Sequence, residues 1–153
     1  MWLVDIDGTA ALRRQGEGER HWSDWARVGE DLPNPAVITV IRALAAAGEQ
    51  LVWLSARPEQ CYGATKGWIH REVCAPYWRK TGEIRLCTAP LYLAPGGDGS
   101  GDSDAMIKSG IYVNQIVPAH GEADGVLEDR ADVVRMWRQN HGLTVLSPAE
   151  GLF

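Results

Sequence analysis

The sequence predicts an α/β fold built on a mostly parallel, Rossmann-like sheet with helices on both faces. Short apolar runs, too brief for helices, alternate with segments whose apolar residues recur at helical spacing. Three of those runs stop at polar residues, Asp5, Ser55 and Glu128, as strands do when they deliver reactive groups to the carboxyl edge of a parallel sheet. The length of 153 residues suits one such unit and leaves no room for a second ordinary domain, so residues 1–153 are expected to form a single domain.

Met1 to Asp5 is an apolar run ending in an acid and reads as the first strand. Residues 10–33 are polar, with Arg13-Arg14, a Gly-Glu-Gly turn at 16–18 and a Trp22/Trp25 pair, and read as a hairpin or flap. Val37, Ile38, Val40, Ile41 and Leu44 recur at helical spacing between the start signals Asn34-Pro35 and the stop Gly48, which predicts a helix over Ala36–Ala47. Leu51 to Leu54 is a buried strand ending in Ser55-Ala56-Arg57-Pro58, and Glu59 to about Val73 is helical. Ile84 to Thr88 alternates as a third strand, and the Gly-rich run 95–101 is a loop. Asp102 to Val117 reads as a helix with Asp104 and Lys108 one turn apart on one face. Gly125 to Leu127 is a strand ending in Glu128-Asp129, Ala131 to Asn140 a helix closed by Gly142, and Leu143 to Leu146 the last strand.

Composition narrows the function classes. No stretch approaches the roughly 20 apolar residues of a membrane-spanning helix, which excludes a transmembrane protein. The first residues lack a basic segment and turn acidic at Asp5, which predicts no secretory leader and a cytoplasmic, intracellular protein. Fifteen Lys and Arg against 20 Asp and Glu give a net charge of −5, an argument against wholesale electrostatic wrapping of nucleic acid. Cys61, Cys74 and Cys87 have neither zinc-site spacing nor the pattern of a disulfide framework and read as reduced thiols. The four histidines show no ligand spacing, and Trp53 and Trp137 belong to the core.

The chemistry gathers in four places: Asp5-Ile6-Asp7-Gly8-Thr9, Ser55-Ala56-Arg57, Lys108 and Glu128-Asp129. Moving a phosphoryl group requires a nucleophile, an acid for the leaving oxygen, a cation for developing charge and donors for the remaining oxygens. This set contains each. In order and type, the four motifs resemble those of the haloacid dehalogenase (HAD) superfamily. Within it, Val4 to Thr9, Asn34-Pro35, Ser55-Ala56-Arg57, Asp104 to Lys108, and Glu128-Asp129-Arg130 running into Val133 to Arg138 resemble the 3′-phosphatase domain of phage-type polynucleotide kinase/phosphatases.

That resemblance implies a HAD fold with a short flap and minimal cap. It implies that Asp5 is the nucleophile, forming an aspartyl-phosphate, and that Asp7 is the general acid and base, for which a raised pKa is expected. Mg²⁺ is the implied cofactor, held by the side chains of Asp5 and Asp129 and the backbone carbonyl of Asp7, with Glu128 reaching a metal-bound water. Ser55 and Arg57 would hold phosphate oxygens, and Lys108 would neutralise charge, steadied by Asp104 and expendable for stability. Thr9 is a supporting residue, and Arg130 is expected to tie the acidic pair in place. Arg13 and Arg14 are candidates for contact with a nucleic-acid backbone, a solvated flap being the plain alternative; for Arg57 that alternative is a surface salt bridge.

No GxxxxGK[ST] phosphate loop occurs, so a free-standing phosphatase is expected, with a separate kinase or ligase as partner. The substrate implied is a polynucleotide 3′-phosphate, with 2′,3′-cyclic phosphate as an extension. A mononucleotide or small phosphorylated metabolite is the alternative substrate. A catalytically silent phosphate-binding module is the alternative of another class.

Overall fold

In the computed structural model, which describes residues 1–14, 16, 18–96 and 103–148, the chain opens with strand β1 (Trp2–Val4) and a two-residue strand β2 (Ala11–Leu12). A 3-10 turn over Trp25–Glu30 leads to β3 (Leu32–Pro33), which pairs antiparallel with β2 and closes the flap as a hairpin base. Helix α1 (Pro35–Ala46) starts on Pro35, whose missing N–H costs nothing at a first helical position. The side chain of Asn34, just before it, donates to the Thr9 carbonyl at 3.0 Å instead of capping the helix, tying the flap base to the loop after β1. Strand β4 (Leu51–Pro58) runs past the expected Leu54.

Helix α2 (Tyr62–Trp68) continues without a break through a π-helical segment (Ile69–Cys74) into α3 (Ala75–Thr81), longer than the periodicity suggested. Residues 84–88 correct the sequence reading. They form a single helical turn, α4 (Arg85–Thr88), and the strand is β5 (Leu91–Ala94). Alternation over five residues fits one helical turn as well as a strand, and here the turn buries Leu86 and presents Cys87 to Cys74. Cys74 and Cys87 form a disulfide, correcting the expectation of reduced thiols at these two positions though not at Cys61: folding brings their Cα atoms to 5.2 Å, across a separation no spacing rule registers.

Helix α5 (Asp104–Ile111) is capped by Ser103, whose hydroxyl accepts from the Met106 amide, and runs through a second π segment (Tyr112–Ile116) into α6 (Val117–His120). The predicted start at Asp102 and most of the Gly-rich loop lie outside the described residues. Strand β6 (Gly125–Leu127), helix α7 (Ala131–Asn140) and strand β7 (Thr144–Leu146) complete the chain.

The five long-range strands form one parallel sheet in the order β5-β4-β1-β6-β7, so the predicted α/β architecture holds. Alternate residues of each central strand point to opposite layers. Val4, Leu51, Trp53 and Leu127 pack with Ile38, Ile41 and Trp68 on one face. Leu3, Val52, Leu54 and Val126 pack with Ile111, Tyr112, Val133 and Trp137 on the other. Sandwiched between two apolar layers, β1 cannot slip by one residue without exposing a core side chain, and that register fixes where Asp5 emerges. Among the described residues no helix is long and apolar enough to cross a membrane.

Candidate active site

The carboxyl ends of β1, β4 and β6 meet at one edge of the sheet. β1 and β6 are paired with Val4 opposite Leu127, and the Asp5 amide donates to the Leu127 carbonyl at 3.0 Å, so Asp5 and Glu128 leave the sheet side by side. The chain after Asp5 turns at once. Gly8, at φ +83°, lets its amide reach the Ala11 carbonyl at 2.9 Å, while the Ala11 amide returns to the Ile6 carbonyl at 2.7 Å. A Cβ on Gly8 would stand 2.2 Å from Asp129 Oδ2, so only glycine lets this turn close over the second acid of β6. On β4 the register with β5 shifts between Leu54 and Pro58, and that irregularity aims Ser55 and Arg57 into the same edge.

Lys108 reaches in from α5. Its Nζ donates to Asp5 Oδ1 and to Glu128 Oε2, each at 2.6 Å, and it is 4% exposed. Burial disfavours an ammonium, but the two carboxylates outweigh it and raise the Lys108 pKa, so the charge is permanent at neutral pH. Asp5, Glu128 and Asp129 offer oxygens that all lie within 4.8 Å of one another. Burial and the Glu128 charge push the Asp5 carboxyl well above the usual carboxylate range, against the pull of Lys108. Asp5 Oδ2 is buried with no hydrogen-bond partner. A buried, unsatisfied carboxylate oxygen in an acidic cluster fits a hard cation such as Mg²⁺, which prefers oxygen ligands. Thr9 Oγ1 donates to Asp129 Oδ1 at 2.8 Å, while the oxygens of Glu128 take Lys108 and the Arg130 amide.

Asp7 faces a different set. Arg57 holds it by a fork, Nε to Oδ2 at 2.7 Å and Nη2 to Oδ1 at 2.8 Å, and Ser55 Oγ lies 3.4 Å from Oδ2. Arg57 is fully buried and also donates to Asp31 at 2.8 Å and to the Thr65 hydroxyl at 3.1 Å, so it is not a surface salt bridge. Arg20, also buried, donates to both oxygens of Asp31 at 2.7 and 2.8 Å and to Asp7 at 3.3 Å. The Trp68 indole donates to the Asp31 carbonyl at 2.7 Å and anchors the group to the core. Burial pushes the Asp7 pKa up, but Arg57 and then Arg20 outweigh it and the net shift is downward, correcting the expectation of a raised value. The resemblance implies the acid and Arg57, but not the hold of Arg57 on that acid, nor Arg20.

Two further readings change. Asp104 pairs with Arg130 rather than steadying Lys108, whose ion pairs are with Asp5 and Glu128. The Arg130 side chain spans Asp104 and Asp132, so it joins α5 to α7 and only its amide touches Glu128. Arg13 and Arg14 are exposed on the flap, and the flap cation brought to the acid is Arg20. Arg20 and Asp31 escaped the sequence reading. Nothing in a polar run distinguishes the arginine that will be buried, nor the aspartate 11 residues on that will meet it.

The model of the polynucleotide kinase PNKP phosphatase domain matches residues 1–153. The chain belongs to this family. As a member of the PNKP phosphatase-domain family it is a phosphatase of the HAD type. A search of curated protein sequences finds no match. Among solved structures, the Pnkp1/Rnl/Hen1 RNA repair complex contains a chain that this PNKP-type domain resembles with a TM-score of 0.74 and 22% identity, over 99% of this chain and 43% of that one. A second structure of the Pnkp1/Rnl/Hen1 complex gives 0.73 and 23%, over 99% and 46%. The domain thus spans less than half the length of those chains. D,D-heptose 1,7-bisphosphate phosphatase from B. bronchiseptica, solved with magnesium and phosphate, matches with a TM-score of 0.56 and 14% identity over 91% of this chain and 76% of that one.

Proposed function

We propose that this phosphatase removes the phosphate from polynucleotide 3′ ends, with Mg²⁺ as cofactor and Asp5 as nucleophile. The observation that carries the chemistry is Asp5 itself: one oxygen fixed by Lys108 at 2.6 Å, the other buried and unpartnered beside Glu128 and Asp129. Asp5 and Asp129 would hold the metal with the Asp7 carbonyl, and Glu128, engaged by Lys108 and the Arg130 amide, would act through water. When bound, the cation supplies charge neutralisation for the phosphate and its attacking carboxylate.

The remaining steps belong to the chain's own residues. The Asp5 carboxylate forms a bond to phosphorus as the bond to the 3′ oxygen breaks, and Asp7 gives that oxygen its proton. A water then attacks phosphorus, Asp7 takes its proton, and the Asp5–phosphate bond breaks to release inorganic phosphate. Asp7 starts ionised under Arg57 and Arg20. An arriving phosphate competes for the same guanidinium groups; relieving their hold raises the Asp7 pKa, and Asp7 takes up from solvent the proton it then gives to the 3′ oxygen. Lys108 keeps Asp5 oriented, and Ser55 and Arg57 would donate to the phosphate oxygens.

The polynucleotide substrate is supported by the PNKP family match and by the RNA repair complexes among the structural relatives. On this reading a 2′,3′-cyclic phosphate is a second substrate, and a kinase or ligase that uses the freed 3′ hydroxyl is the partner. The deciding experiment is Mg²⁺-dependent phosphate release from one oligonucleotide carrying the phosphate at its 3′ end and from the same oligonucleotide carrying it at its 5′ end. Release from the 3′ end alone is expected. Release from neither, with turnover of a small phosphate ester, overturns the polynucleotide substrate and retains the phosphatase.

A further inference from the structure

The chain buries Trp53, Trp68 and Trp137 completely, yet leaves Trp22, on the flap, 58% exposed. Trp78 is 48% exposed as well, so exposure alone assigns nothing; what sets Trp22 apart is how its backbone is tied to the site. The flap does not leave it loose. The His21 ring stands 5.5 Å away at 43°, and Trp25 meets it edge-on at 6.3 Å and 83°. Arg20 Nη1 donates to the carbonyls of His21 and Trp22 at 3.3 and 3.2 Å, while Nη2 of the same guanidinium donates to Asp7 and Asp31. The backbone that carries the exposed indole is therefore one guanidinium away from the carboxylate assigned to the leaving oxygen.

We propose that Trp22 is the stacking surface for the terminal nucleobase of the 3′-phosphorylated strand, and so sets the preference for nucleotide-bearing esters. The inference rests on the polynucleotide reading above. In such a substrate a single sugar separates the 3′ oxygen from its base, so a base-binding residue belongs within one side chain's reach of Asp7, where Trp22 is anchored. With a net charge of −5 the chain cannot rely on long-range attraction to hold a polyanion, and stacking supplies affinity that tolerates any base.

The test compares a 3′-phosphorylated dinucleotide with the same molecule lacking its terminal base. Trp22→Ala raises KM for the base-bearing substrate about tenfold, the scale of losing one base–aromatic contact. It moves kcat less than twofold and KM for the base-free substrate less than twofold, and Trp22→Phe recovers most of the loss. An equal rise for both substrates, or no rise for either, overturns the proposal. Binding is read separately by indole fluorescence, as the difference between the wild type and Trp22→Phe. A nucleoside 3′-phosphate quenches that difference signal and glycerol phosphate does not. Should the wild type leave oligonucleotide 3′-phosphates intact, the polynucleotide reading falls, and the quenching still decides the stacking: its presence supports Trp22 as a base platform and its absence overturns it.

Discussion

Asp5 and Asp7 lie two residues apart, yet they face oppositely constructed halves of the site. On the Asp5 side three buried carboxylates surround one ammonium, and a carboxylate oxygen is left without a partner. On the Asp7 side two carboxylates, Asp7 and Asp31, meet two guanidinium groups, Arg20 and Arg57, in matched pairs. The first half is short of positive charge, which a bound cation would supply. The second is balanced by the protein alone, so in the free protein its geometry needs no ligand. The difference separates a place where affinity is made from a place where orientation is kept.

The largest effect expected is in the unbalanced half. Asp5→Asn should cut turnover by roughly a thousandfold or more, while circular dichroism and the melting temperature stay close to wild type, because Lys108 keeps Glu128. Turnover within tenfold of wild type would break the comparison at its root. Lys108→Met should be worse for the fold. Removing the ammonium leaves buried carboxylates uncompensated, at a cost of about 3–5 kcal/mol, and the melting temperature should drop on the order of 10 °C alongside a loss of activity. That differs from the sequence expectation of a stability-neutral change, and an unchanged melting curve would restore it.

Mg²⁺ should raise the melting temperature of the wild type, by about 2.7 kcal/mol of stabilisation at a hundredfold excess over its dissociation constant. Asp129→Asn should abolish the shift and Arg20→Met should keep it; the reverse pattern would place the cation in the wrong half. The smallest effect belongs to the balanced side. Arg20 helps hold the Asp7 pKa down, so Arg20→Met should raise it. With Asp7 as the proposed proton donor to the leaving oxygen, the limb along which kcat/KM falls with rising pH should move to higher pH, by about one unit or less. A limb that stays in place would detach Arg20 from the chemistry.

How much of this was legible beforehand follows the same division. Asp5, Lys108, Glu128 and Asp129 sit at strand ends or one helical turn from a neighbour, and short apolar runs stopping at a polar residue are visible in a string of letters. Strand β6 and helix α7 have the bounds their patterns predict. The Arg20–Asp31 pair was not legible, because its partners are chosen by how the flap folds back and not by any period along it. The residues at 84–88 failed for a related reason: Leu86 and Cys87 turn inward against α1 and the π segment, a choice made by neighbours far along the chain. Both long helices continue through π segments that no hydrophobic repeat announces. The raised pKa that a general acid implies is not the one the surroundings of Asp7 set: in the free site Arg57 and Arg20 hold that carboxyl down.

The turn at Gly8 has a practical consequence. A single methyl group there would have to share space with the Asp129 carboxylate and would also demand a left-handed backbone that alanine resists. Gly8→Ala would therefore disarm the acidic half while keeping every ionisable group, the net charge and the whole guanidinium half. Most inactive mutants of a phosphate-binding site alter its electrostatics and confound binding measurements with polyanions. Here one hydrogen atom is the sensitive part, which offers an isoelectric, catalytically silent bait for trapping whatever nucleic acid or protein the active molecule meets and releases.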